Sequence, residues 1–473
     1  MNGIQMSDLA LMAPELILIG MALALILVAR RIRTAPVAAI GTVSAALAAA
    51  LASGWLLSRG TDTGFGGMII LDGYSQFFKI LIAGSLALVT LLSVRTIAVE
   101  QLPRAEYHAL LLLASTGMML SVSATDLLTL YLGVELMTLC SYILVGVTVQ
   151  NPRSNEAAIK YFLIASFASA LLLYGISLTY GATGSTTFVA IASALAERGL
   201  ANSPLLVVAV SLLVAGLAFK IAAVPFHSWA PDAYQGAISP VAAFLAAGSK
   251  AAGLAVLGRV TVVAFGSEAK VMSLLFVGLA AFSIVVGGIL ALAQTDMKRL
   301  LAYSSIAHVG YALLGLVAGT PEGVSTTMVY AFFYVFMTLG AFGVVIGLGE
   351  RGESLDGYRG LATQRPVTAV IMLLFLLSLT GIPPTAGFVA KFGVILSALR
   401  AGHPELAVLA MIFSVVSAFV YMRVAVLMFM KEPQEEVTVD FPVAVSAALA
   451  VAALVTFIGG IFPSSLVRWA VSP

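Results

Sequence analysis

Runs of about 20 apolar residues recur from one end of this 473-residue chain to the other, separated by short polar or glycine- and proline-bearing stretches. A run of that length matches the hydrocarbon thickness of a bilayer. In lipid the backbone must satisfy its own hydrogen bonds, and a helix does so within one segment. The runs fall near 9–29, 36–57, 76–98, 106–121, 126–148, 158–180, 204–224, 238–262, 271–293, 300–318, 325–349, 367–399, 405–430 and 441–462. The fold class expected is therefore an all-α polytopic membrane protein with about fourteen transmembrane helices. The first run has no positively charged segment ahead of it and is too long for a signal peptide, so it reads as the first span.

Composition agrees. Apolar residues make up 61% of the chain and charged residues 10%, with a mean hydropathy of +1.07, which leaves too little polar surface to face water. A net charge of +2 without a basic tract gives no footing for nucleic acid. The single cysteine, Cys140, excludes a disulfide framework and reads as a small core residue. No CxxC or Cys/His cluster suggests a metal or iron–sulfur site.

Charge placement orients the spans. With the N-terminus outside, the inner side holds twelve lysines and arginines, Arg30, Arg31 and Arg33 among them. The outer side holds six: Arg59, Lys79, Arg198, Lys270, Arg400 and Arg468. Positive charge concentrates on the inner side of membrane proteins, so both termini are expected outside. Arg259 and Arg423, near helix ends, are expected to anchor at the interface.

Of the charges that fall inside spans, four stand out: Glu135, Lys220, Lys250 and Lys391. Each is costly at the bilayer centre, so each marks a candidate functional site. A structural ion pair accounts for Glu135 and one lysine, and leaves two lysines without an acidic partner. Desolvation disfavours a lysine's charged form, which readies it to take up and release a proton. Two of the lysines stand beside helix breakers. Lys220 precedes Pro225 by five residues, and Gly381, Pro383, Pro384 and Gly387 precede Lys391. Broken backbone in mid-membrane is tolerated where it is buried in protein or lines a hydrated cavity. Run 367–399 as one straight helix would be roughly 50 Å long, and a break absorbs the excess. The broken spans lie five apart, the seventh and the twelfth. A unit with an odd number of crossings must invert in its second copy. Spans 4–8 (106–262) and 9–13 (271–430) thus read as inverted repeats, preceded by a three-helix segment (1–105) and followed by a last helix (431–473).

Three stretches carry a family resemblance: FKIAAVPFHSWAPDAYQGAISPVAAFL at 219–245, KRLLAYSSIAHVGY at 298–311 and TGIPPTAGFVAKF at 380–392. They resemble the antiporter-like membrane subunits of respiratory complex I. The DAYQGA and GIPPTAGFVAKF forms, and APELILIG at 13–20, are most similar to the subunit N branch of NADH–quinone oxidoreductases. The resemblance implies fourteen helices, inverted five-helix repeats and broken helices seven and twelve. It implies proton translocation from cytoplasm to outside, driven by quinone reduction elsewhere in the complex. By the same resemblance Glu135 pairs electrostatically with Lys220, Lys250 is the central relay and Lys391 the terminal donor. NADH, FMN, iron–sulfur clusters and quinone belong to other subunits, and this chain binds none of them. The partners implied are M-type and K-type neighbours, lipids and protons, in a bacterial inner membrane. The enzyme class implied is a proton-translocating NADH:quinone reductase, with no catalysis by the isolated chain.

Other polar residues carry two readings each. His308 either bridges Lys250 and Lys391 or is a packed neutral histidine. His227 and Asp232, in the inner loop after Lys220, serve proton entry or the loop itself. Lys160 lies one turn into its span and reads as a structural or entry residue before a relay one. Tyr131 shares a helix face with Glu135 and is placed to hydrogen-bond it. Tyr303, Ser304 and Ser305 line a water path or bond backbone between helices. The alternative function is a subunit of a multisubunit sodium/proton antiporter. A passive scaffold gives no reason for three buried lysines, and a solute carrier calls for a larger polar pocket than these spans offer.

Overall fold

The computed structural model describes residues 6–32, 34–200, 203–266, 269–433, 441–464, 467 and 469. Arg33 and Arg468, two of the orienting charges, and both chain ends lie outside the described residues. The described chain is almost wholly helical. It opens with α1 (Met6–Leu11), α2 (Ala13–Leu27) and α3 (Ala35–Leu57). A small antiparallel hairpin of β1 (Asp62–Gly64) and β2 (Ile69–Leu71) leads to α4 (Gly73–Val99). Asp72 caps α4 in a reciprocal capping box with Ser75, which satisfies two orphan donors at the helix start.

Next come α5 (Arg104–Ser123), α6 (Leu127–Val145), α7 (Pro152–Thr183) and a short surface helix α8 (Phe188–Glu197). They are followed by α9 (Pro204–Ile221), α10 (Trp229–Gly236), α11 (Ser239–Ala246) and α12 (Gly248–Arg259). The second half runs through α13 (Ala269–Leu292), α14 (Met297–Leu316), α15 (Pro321–Leu348) and a single turn α16 (Leu361–Gln364). It continues with α17 (Pro366–Thr380), α18 (Ala386–Arg400) and α19 (Pro404–Met430), and α20 (Val443–Ile461) closes the described fold. Proline in the first turn of α7, α9, α11, α15, α17 and α19 starts those helices where its missing N–H costs nothing.

Eleven helical stretches among the described residues are long and apolar enough to cross a bilayer. One continuous apolar core joins α2 through α20, while Leu51, Phe167, Val415 and other large apolar side chains stay exposed on the outside. That inside-and-outside apolarity is the pattern of a helix bundle whose solvent is lipid.

The two halves repeat local geometry at matched positions. Asp126 caps α6 and Asp296 caps α14. Each also sits in an isolated bridge to a loop residue, Thr187 and Ser354 respectively. The backbone pairs Phe188 N–H to Thr125 O (2.9 Å) and Leu355 N–H to Thr295 O (3.0 Å) flank those bridges. At the breaks, α9 ends on Ala222 and α17 on Gly381, both in the left-handed region with φ of 58° and 89°. A proline follows three residues later in each, Pro225 and Pro384.

Four expectations change. Run 238–262 is not one continuous helix: Ala247, at φ −100° and ψ −82°, interrupts it between α11 and α12. Asp232 belongs to α10 rather than to a loop. Lys79 is not an interfacial charge, because it is 1% exposed and pairs at 2.7 Å with Glu15, a second intramembrane carboxylate that is itself buried. Arg259 is buried as well, its guanidinium bidentate on Asp72 at 2.7 and 2.9 Å. In each case a partner on another helix offsets the desolvation that interface placement would have avoided.

Candidate functional site

The break after α9 frees carbonyls that neighbouring groups then take. Trp229 on α10 donates its indole N–H to Phe219 O (2.9 Å), and the Val224 N–H goes to Ser283 Oγ on α13 (2.9 Å). This keeps the break ordered with Lys220, two residues before the cap, almost fully buried. The Lys220 ammonium donates to Thr138 Oγ1 on α6. Glu135, three residues earlier on α6 and half-buried, is held elsewhere. Its carboxylate accepts from Ser169 Oγ on α7 at 2.8 Å, and Tyr131 OH lies 3.1 Å from the same Ser169 oxygen. Tyr131 thus reaches Glu135 through Ser169. No contact ion pair joins Glu135 to Lys220 among the described residues.

Lys250, on α12 just past the Ala247 interruption, is fully buried and donates to Ser305 Oγ on α14 at 2.5 Å. Its ammonium lies 5.9 Å from the Tyr234 ring centroid, within cation–π range. The hydroxyls of Tyr234 and Tyr334 are buried and have no hydrogen-bond partner among the described residues.

Beyond Lys250, one face of α14 carries Ser305, His308 and Tyr311 at three-residue spacing. His308 Nδ1 is 2.7 Å from Tyr330 OH, and its Nε2 is 3.4 Å from Tyr421 OH, which also meets Ser304. The histidine is thus both buried and hydrogen-bonded along the line between the two lysines. Tyr303 is only partly buried and faces Arg299, its ring centroid 6.0 Å from the guanidinium, so it stands off that line. Lys391 closes the row. Its ammonium lies 4.4 Å from the Tyr311 ring centroid and donates to Thr380 O (2.8 Å), a carbonyl freed by the second break. Gly381 is required at that break twice over: its φ is positive, and a Cβ there would meet Lys391 Cδ at 2.8 Å. Gly387 N–H binds Ser378 Oγ (3.0 Å), fixing the start of α18 against the end of α17.

On the side of α10 lies a polar cleft of about 330 Å³ lined by Arg153, Glu156, Lys160, Asp232 and Gln235. Lys160 pairs with Glu156 (2.7 Å) and Asp232 (3.4 Å), and Arg299 also holds Asp232 (2.8 Å). His227 stands in the turn between Lys220 and this cleft. Lys160 is half-exposed and engaged in these ion pairs.

The halves also match at the site. Glu135 and Thr138 lie nine and twelve residues after the capping Asp126, and Ser305 and His308 lie nine and twelve after Asp296. Residue ten past the left-handed cap is Asp232 in the first half and Lys391 in the second.

The sequence pattern described as "NADH:quinone oxidoreductase/Mrp antiporter, TM" matches residues 124–419. The NADH-quinone oxidoreductase subunit N of Desulfovibrio desulfuricans is 43% identical over 98% of this chain and 96% of that protein. The chain belongs to the NADH–quinone oxidoreductase subunit N family. Among solved structures it is similar to a chain of respiratory complex I from Thermus thermophilus, with 33% identity, a TM-score of 0.84, and coverage of 97% of this chain and 100% of that one. It also shares its fold with a chain of the Mrp complex from Dietzia sp., at 21% identity and a TM-score of 0.86 over 98% of this chain and 96% of that one. Shape therefore does not separate the two classes; sequence identity does, and it favours subunit N.

Proposed function

We propose that this chain is a proton-translocating membrane subunit of an NADH–quinone oxidoreductase. Protons enter near Lys160, His227 and Asp232 and pass by Glu135 and Lys220 to Lys250, then by His308 to Lys391 and the outer face. Quinone reduction in other subunits drives the transfer, and NADH, FMN, iron–sulfur clusters and quinone belong to those subunits. The complex is then a translocase, and this chain on its own catalyses nothing. With α2, α14 and the α17–α18 pair counted as crossings, the spans number fourteen. Residues 106–262 and 271–430 form inverted repeats, and both termini face outward from a bacterial inner membrane. M-type and K-type subunits are its neighbours.

The observation that carries this reading is the set of three lysines, Lys220, Lys250 and Lys391, all buried and each held by a neutral oxygen rather than a carboxylate, with Ser305 of α14 against Lys250 and Tyr311 of the same helix against Lys391. A lysine bonded only to neutral groups is free to lose its proton without leaving a buried anion unpaired. The reading as a sodium/proton antiporter subunit shares the fold with the Mrp chain but lacks comparable identity.

Lys220→Ala tests it. In membranes where the variant complex assembles by native gel, NADH–quinone reductase activity and proton pumping are expected to fall together. Normal turnover with normal protons per electron would place Lys220 outside the path.

A further inference from the structure

Buried hydroxyls in apolar helices usually return their proton to a carbonyl one turn back on the same helix. Thr116, Ser141 and Thr179 all do so in this chain. Ser169 on α7 instead crosses to α6 and gives its proton to Glu135 (2.8 Å). A serine hydroxyl has one proton, and a carboxylate only accepts. The 3.1 Å contact between Tyr131 and Ser169 must therefore run with Tyr131 as donor. The result is a directed chain, Tyr131 to Ser169 to Glu135, ending on the charge.

Lys220 is held on the other side, by Thr138, one turn along α6 from Glu135. Thr138 spends its own proton on Val134 O (2.5 Å), so it meets the ammonium as an acceptor. Residues three apart on a helix face lie about 5–6 Å from one another. The Glu135 carboxylate and the Lys220 ammonium, whose anchor Thr138 lies one turn from Glu135 on α6, are thus each tied to a hydroxyl instead of to each other.

We propose that Ser169 is a positioning residue for the relay: its hydroxyl holds the Glu135 carboxylate toward α7, off Lys220, and so sets how readily Glu135 pairs with that lysine. This rests on the reading of Lys220 as a relay lysine. With the serine proton present, Glu135 has two competing donors and moves between them. Without it, Lys220 is the charged donor that remains, stronger than the neutral Tyr131 hydroxyl, and the ion pair stays closed, holding the proton on the lysine.

The test uses the whole complex in membranes, with assembly followed by native gel. Ser169→Ala is expected to lower coupled NADH–quinone reductase activity about tenfold, the size of one hydrogen bond to a charged group. Ser169→Thr, which keeps a hydroxyl, is expected to restore it. Tyr131→Phe, which removes only the donor behind Ser169, is expected to fall between the two and supplies the answer should Ser169→Ala assemble poorly. Wild-type rates in Ser169→Ala and Tyr131→Phe, with Lys220→Ala inactive, would overturn this proposal and leave the relay standing. Failure of Ser169→Thr to recover activity would overturn it too, since the loss would then follow packing and not the hydroxyl. Wild-type activity in Lys220→Ala would remove the reading beneath it.

Discussion

Glu15 and Lys79 face each other at 2.7 Å with almost nothing of either exposed, and neither hydrogen-bonds the proposed row of lysines. Removing one partner leaves the other as a bare charge in surroundings that cannot solvate it. Glu15→Gln or Lys79→Met alone is expected to cost about 3–5 kcal/mol, read as less assembled complex on a native gel and a lower unfolding midpoint. Replacing both by leucine is expected to recover most of that loss. Protons pumped per electron should stay at wild type in whatever assembles; a fall in that ratio would put the pair on the path. The four candidate charges stood out in the sequence because each sits deep in an apolar run. Glu15 and Lys79 were not, since each lies within two turns of a helix start, where sequence alone reads a charge as interfacial. Ser169 left no signal either. A serine in an apolar helix is ordinary, and only the direction of its hydrogen bond sets it apart.

Among the elements, the two broken helices followed from Pro225 and from Gly381, Pro383, Pro384 and Gly387, because such residues interrupt a helix wherever they fall. The interruption at Ala247 had no such mark, as alanine is the strongest helix former and tertiary packing overrides it. Helix α8 and the β1–β2 hairpin were missed because neither is long enough to register as a span. The break at Gly381 offers a direct test. Gly381→Ala asks a Cβ to adopt φ +89° and to enter the space of the Lys391 stem. Strain of that kind costs roughly 1–3 kcal/mol, and the expected outcome is an assembled complex with strongly reduced pumping. Unchanged pumping would show that the position of Lys391 against the break does not matter.

At the scale of the whole molecule, the Asp72–Arg259 pair fastens the start of α4 to the end of α12, the helix that carries Lys250. Burial pushes the Asp72 carboxyl up, but the Arg259 hydrogen bonds and charge, with those of Ser75, outweigh it and hold the group below its ordinary 3.8. A lowered carboxyl stabilises the fold above the unfolded value, and that contribution is lost only as pH falls through the still lower folded one. The pair should therefore add no pH dependence to the unfolding midpoint between about pH 5 and 8. Asp72→Asn is expected to lower that midpoint by a similar amount across this range. A deficit that shrinks between pH 8 and pH 5 would contradict the assignment. The breaks themselves were readable from their prolines and glycines, while the tie between the first helices and the bundle was not, because no local pattern announces a partner 187 positions away.

The two breaks share their left-handed cap and proline spacing, yet ten residues on, one half places Asp232 and the other Lys391. A conduit whose halves agreed in charge as well as in backbone would pass traffic equally well both ways. On the proposed path one end draws a proton in with an anion, and the other is a cation that repels the next arrival until it has let its own go. The chain would then act as a valve, its sense of flow written in two side chains on a scaffold that has no preferred direction of its own.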